Sequence, residues 1–82
     1  RGEIVERVRA AAAAVPGVLE IDKCLVRKMG LEFYVDLHVG VDERISVRAG
    51  HDLAHEVKNM IRQTNPRIAD VLVHIEPAKP VR

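Results

Sequence analysis

The sequence predicts an α+β fold, a two-layer αββαβ arrangement in which a three-stranded mixed sheet carries two helices on one face. Three observations lead there. From Leu31 to Asp42 the odd positions Leu31, Phe33, Val35, Leu37, Val39 and Val41 are apolar, and the even positions Glu32, Tyr34, Asp36, His38, Gly40 and Asp42 are polar or small. Side chains alternate across a strand, so this stretch is a strand with one face in a core. Asp70 to Glu76 repeats the alternation, with Val71, Val73 and Ile75 set against Asp70, Leu72, His74 and Glu76. Two stretches of helical period, one before the strands and one between them, supply the second layer.

The first helix is expected within residues 1–17. Glu3 to Val15 sets Ile4, Val5, Val8, Ala11, Ala12 and Val15 on one face, and Pro16-Gly17 stops it. A ββαβ body follows over residues 18–77. Val18 to Lys28 is rich in β-formers but alternates poorly, as a strand at an edge or with partners on both faces does. Met29-Gly30 then makes a hairpin turn into the Leu31 strand, leaving Asp22 able to face outward with His38.

Asp42 to Ile45 reads as a loop, and Ser46 as the N-cap of a helix from Val47 to about Gln63. Its apolar stripe is Gly50, Leu53, Ala54, Val57, Met60 and Ile61; His51 lies at the margin and His55 is turned further towards water. Thr64-Asn65-Pro66 ends this helix, Ile68 to Glu76 is the third strand, and residues 78–82 form an extended tail. The helical crossover is expected to lay the last strand beside the first, parallel to it. Nothing in the chain is long enough to cover the other face of the sheet, which is then solvated or buried by a partner.

Composition narrows the function. With 82 residues the chain is one domain, close to the lower limit for folding without disulfides, because so short a chain buries only ~60% of its unfolded surface. Thirteen Lys and Arg against twelve Asp and Glu are scattered along the chain, so no electrostatic footprint for nucleic acid is visible. Phe33 and Tyr34 are the only aromatics, too few to stack bases. Cys24 stands alone, which excludes a disulfide or a thiolate zinc site within one chain and fits a cytosolic setting. No window approaches the ~20 apolar residues of a membrane helix. A chain starting at Arg1, with a helix under way almost at once, is expected to be a soluble fragment or processed product of a longer one.

Four histidines carry the remaining chemistry. His38 and His74 occupy outward strand positions, with Asp36 two residues from the first and Glu76 two residues from the second. Imidazole and carboxylate together suit Zn, Mn, Fe, Co or Ni. Local spacing adds no signature: paired Cys-x-x-Cys is absent, and His51 and His55 lack the glutamate of His-Glu-x-x-His. Catalysis is disfavoured, since an open sheet offers little enclosure for a Cys24–His38 pair and the isolated glycines build no phosphate-binding loop.

Several segments together resemble a known family. Val15-Pro16-Gly17-Val18, Asp22, the turn Arg27-Lys28-Met29-Gly30, Val35-Asp36-Leu37-His38-Val39, Gly50-His51 and the closing Val73-His74-Ile75-Glu76-Pro77 are similar to the C-terminal cytoplasmic domain of cation diffusion facilitator transporters. The resemblance covers Glu3 to Pro77. It implies a metallochaperone-like, ferredoxin-like fold and a homodimer on the cytoplasmic side of a transmembrane domain that exports divalent cations in exchange for protons. Regulatory metal in the family lies at the dimer interface, and the matching positions here are Asp22, His38, His51, His74 and Glu76. Asp22 stands where histidine is frequent and Glu76 where aspartate is, which hardens the set and brings Mn or Fe beside Zn. The competing reading is a dimerisation or scaffold module of the same fold that binds no metal. An acylphosphatase-like enzyme would need a phosphate loop with an Arg-Asn pair, and a copper chaperone a Cys-x-x-Cys loop; neither is present.

Overall fold

The computed structural model describes residues 2–80; residues 1, 81 and 82, the last two belonging to the expected tail, lie outside the described residues. Helix α1 (Gly2–Ala13) is followed by the strands β1 (Glu20–Met29) and β2 (Glu32–Val41), then helix α2 (Val47–Arg62) and strand β3 (Ile68–Pro77). The αββαβ order is the one expected. Helix α1 stops two residues short of Val15, where the chain turns tightly through Val15 N–H donating to the Ala12 carbonyl and Val18 N–H to the Val15 carbonyl. Gly17 makes that turn possible in two ways. Its φ is +100°, and a Cβ there would lie 2.8 Å from Leu53 Cδ1. Helix α2 starts where its cap predicts, with Ser46 Oγ accepting from Ala49 N–H at 3.0 Å.

The sheet order is β1-β2-β3, with β1 antiparallel and β3 parallel to β2. The expectation that β3 would lie beside β1 is therefore corrected: the crossover returns the chain to the strand it left, β2. The physical reason is burial. Val35, Leu37, Val39, Gly40 and Val41 of β2 are all buried, which suits a central strand, whereas β1 exposes Lys23, Arg27 and Lys28 along a charged edge.

Val8 and Ala12 of α1 and Val57 and Ile61 of α2 pack on Val35, Leu37, Val39 and Val71 to form the core, with Leu37, Val39, Val57 and Ile61 fully buried. Both helices thus cover one face of the sheet. On the other face Leu25, Tyr34 and Leu72 remain exposed, so among the described residues nothing covers it. Among the described residues no helix is long and apolar enough to cross a membrane.

The poor alternation of β1 has a specific cause. Ile21 pairs with Val39 and Lys23 with His38, so Asp22 is an extra residue at a bulge. The phase shifts there: Ile21 and Cys24, three residues apart, both pack on the core.

Candidate metal centre

The parallel ladder puts His38 directly opposite His74. Both point away from the core, because their neighbours Leu37, Val39, Val73 and Ile75 are drawn into it. The two rings stack with centroids 4.4 Å apart and planes 21° from parallel. Each imidazole then reaches a carboxylate on the neighbouring strand, diagonally: His38 Nδ1 lies 3.0 Å from Glu76 Oε1, and His74 Nε2 lies 3.1 Å from Asp36 Oδ1. These pairings cross between strands; the same-strand neighbours Asp36 and His38, and His74 and Glu76, contribute to opposite pairs.

Asp36, His38 and His74 each offer one donor atom, and these atoms all lie within 4.8 Å of one another. Asp36 Oδ1 is buried and has no hydrogen-bond partner; His74 Nε2 is near it but not along a hydrogen-bond direction. A buried carboxylate oxygen without a partner is costly, and a cation beside two imidazoles would satisfy it. The mixed nitrogen and oxygen donors fit a borderline or hard divalent ion.

Glu76 extends the cluster towards Asp22. The Asp22 carboxyl is held below its ordinary range first by the hydrogen bond and charge of Lys79, with lesser help from Glu76 and His38, and Lys79 Nζ lies 2.8 Å from Asp22 Oδ1. The outer face therefore carries a continuous row running from Asp36 and His74 through His38 and Glu76 to Asp22 and Lys79.

Of the residues picked out in the sequence, His38, His74, Glu76 and Asp22 come together on this face. His51 does not join them. It is exposed on α2, its ring edge-on to His55 with centroids 4.6 Å apart, and lines an open groove of about 490 Å³ whose rim includes Ile45, Val73, Ile75 and Glu76. Asp36, which the strand pattern sets beside His38 but which lies outside the five positions implied by the family resemblance, is a further ligand candidate. Its even-numbered parity with His38 marked it, and only the strand pairing showed that it faces His74. Cys24 packs on the core and burial pushes its thiol up, so it supplies no thiolate here.

The family model for the cytoplasmic domain of cation efflux proteins matches residues 1–78. Curated relatives include the manganese efflux system protein MneP of Bacillus subtilis, 28% identical over 75 residues, covering 92% of this chain and 25% of that protein. Metal tolerance protein C1 of Arabidopsis thaliana is 31% identical over 74 residues, covering 90% of this chain and 16% of its own length. The chain thus spans a quarter or less of these relatives. Among solved structures, MamM-CTD 215-293 superposes with a TM-score of 0.90 at 26% identity, covering 94% of this chain and 98% of that one. A manganese form of a MamM CTD variant gives a TM-score of 0.89 at 25% identity, covering 94% and 98%. With the fold and a match over nearly its whole length in agreement, the chain belongs to the family of cation efflux protein cytoplasmic domains.

Proposed function

We propose that this chain is the metal-sensing and dimerisation domain of a divalent cation efflux transporter, and that the ion it senses is held by Asp36, His38 and His74 with Glu76 and Asp22 alongside. The observation that carries this reading is the convergence of three donor atoms within 4.8 Å on a sheet face that the chain's own helices leave open. The unpartnered Asp36 oxygen supports it. So does the name of a relative, a manganese efflux protein, together with the hard character of a donor set that includes carboxylates.

A second copy of the chain is the partner this reading requires. Leu25 and Leu72 are 48% and 56% exposed on the open face, and Tyr34, Asp36 and Leu72 line an open hollow of about 270 Å³ there. His51 is on the helix side, so a site that included it would draw it from the second copy. Carboxylates brought together from two chains repel one another; a dication between them offsets that repulsion and favours the closed dimer. Closure is then passed to the transmembrane part of the full-length exporter, which exchanges the cation for protons.

Isothermal titration of Zn, Mn, Fe and Ni into the purified chain, repeated on His74→Ala, tests the site. Binding to the wild type that His74→Ala weakens supports it. Scattering with and without metal tests closure: an unchanged separation between subunits counts against the sensor and leaves a metal-independent dimerisation module.

A further inference from the structure

The end of the candidate cluster already holds a cation, and it belongs to the protein. Lys79 Nζ is 2.8 Å from Asp22 Oδ1, and this lysine is placed by more than its own flexible side chain. Its backbone N–H donates to Glu20 Oε2 at 2.8 Å, and the N–H of Ala78 donates to the Val41 carbonyl at 2.8 Å, so the segment after β3 is tied both to β1 and to β2. It crosses β2 at Gly40, where a Cβ would lie 3.1 Å from Ala78 Cα and 2.5 Å from Glu20 Cγ. A side chain at this position would press on both, so a glycine eases the crossing. On β1, the bulge supplies the matching anion by setting the extra residue Asp22 beside Glu76 and His38.

We propose that Lys79 is the resident counter-cation of the Asp22 and Glu76 end of the cluster, and that it lowers the affinity of this face for divalent ions because an incoming dication must displace or face it. The proposal rests on the metal-sensing reading and adds the residue that sets its threshold. Asp22 and Glu76 are hard oxygen donors; the Lys79 ammonium on Asp22 offsets one of their two charges, while Glu76 is engaged with His38, which leaves Asp36, His38 and His74 as the accessible set. Lys79 therefore also restrains binding of the harder ions. The strap is exposed, so its electrostatic influence reaches the site through solvent and fades with salt over a Debye length of ~10 Å at 0.1 M.

The test is calorimetric titration of Mn(II) into the 82-residue chain at low and high ionic strength. Four proteins are compared: wild type, Lys79→Met, Lys79→Arg and Lys58→Met. Lys58 forms a comparable ion pair with Asp70 at 3.0 Å, beside Asp36 at the opposite end of the row from Asp22, and its substitution makes the same change in net charge without freeing Asp22. Lys79→Met is expected to bind Mn(II) about threefold to tenfold more tightly than wild type at low salt, with most of the gain lost at about 0.5 M salt. Lys79→Arg should behave as wild type, and Lys58→Met should stay within about twofold of it. Equal affinity in Lys79→Met and wild type overturns the proposal, as does an equal gain in Lys58→Met, which would reduce the effect to overall charge. The metal reading is judged separately by wild type against His74→Ala. If wild type binds no Mn(II) and Lys79→Met does, the restraining role stands; if neither binds Mn(II), the restraining role falls, while the metal reading is decided by the Zn, Fe and Ni titrations of wild type against His74→Ala.

Discussion

His38 and His74 face each other across the β2–β3 ladder with their rings stacked at 4.4 Å, and each is in contact with a carboxylate on the other's strand. Two imidazoles and two carboxylates interlocked in this way share any change made to one of them.

Asp36→Asn separates binding from stability at this point. The asparagine keeps the shape of the side chain and removes the charge from a buried oxygen that has no hydrogen-bond partner. Metal affinity is expected to drop at least tenfold by titration calorimetry. Stability without metal should stay within about 1 kcal/mol of wild type or rise, as urea unfolding would record. A large loss of stability would mean that the carboxylate is a structural partner of His74 instead.

Leu37 lies between Asp36 and His38 but points the other way, fully buried against both helices. Leu37→Ala should cost ~2–5 kcal/mol, a large share of the total for so small a domain. Leu25→Ala, on the open face, should change monomer stability by less than about 1 kcal/mol. Denaturant midpoints of the two variants check the contrast.

Gly17 joins α1 to β1 at φ +100°, and a Cβ there would press on Leu53 Cδ1 at 2.8 Å. Gly17→Ala is expected to destabilise the fold by more than ~1 kcal/mol through backbone strain and displacement of a core side chain. Gly30, also at positive φ but with nothing within 4 Å of its Cβ position, should cost less when replaced by alanine. Comparing the two melting temperatures separates strain from crowding.

Arg44 grips Asp42 through two side-chain hydrogen bonds of 3.1 and 2.9 Å, with its backbone N–H adding a third at 2.9 Å. These contacts, the side-chain ones first, lower the Asp42 carboxyl from its ordinary 3.8 to about 2. A carboxyl lowered on folding stabilises above its unfolded value, so the contribution is complete above pH ~4 and disappears as pH falls towards about 2. In Arg44→Ala the carboxyl should return most of the way to 3.8, as carbon-detected NMR titration of Asp42 would show. Unchanged titration would place the cause in the loop backbone.

Much of this architecture was legible because it depends on local chemistry. The alternation in β2 and β3, the Ser46 cap and the Pro16-Gly17 stop each place an element within one to three residues, and each acts over a few neighbouring side chains. Strand order was not legible. The crossover rule constrains handedness, but whether β3 joins β1 or β2 depends on which strand is buried deeply enough to take two partners, a property of the assembled core. The bulge at Asp22 was visible only as disturbed alternation, because an extra residue acquires meaning when its partner strand is present.

The candidate site divides along the same line. Taken alone, the sequence determined which side chains leave the core: a two-residue period forces His38, Asp36, His74 and Glu76 outward whatever the strands do next. The tertiary structure decided who meets whom. Register is fixed by contacts between segments more than thirty residues apart, and it alone set ring on ring, sent each imidazole to the opposite strand's carboxylate and brought Lys79 down onto Asp22.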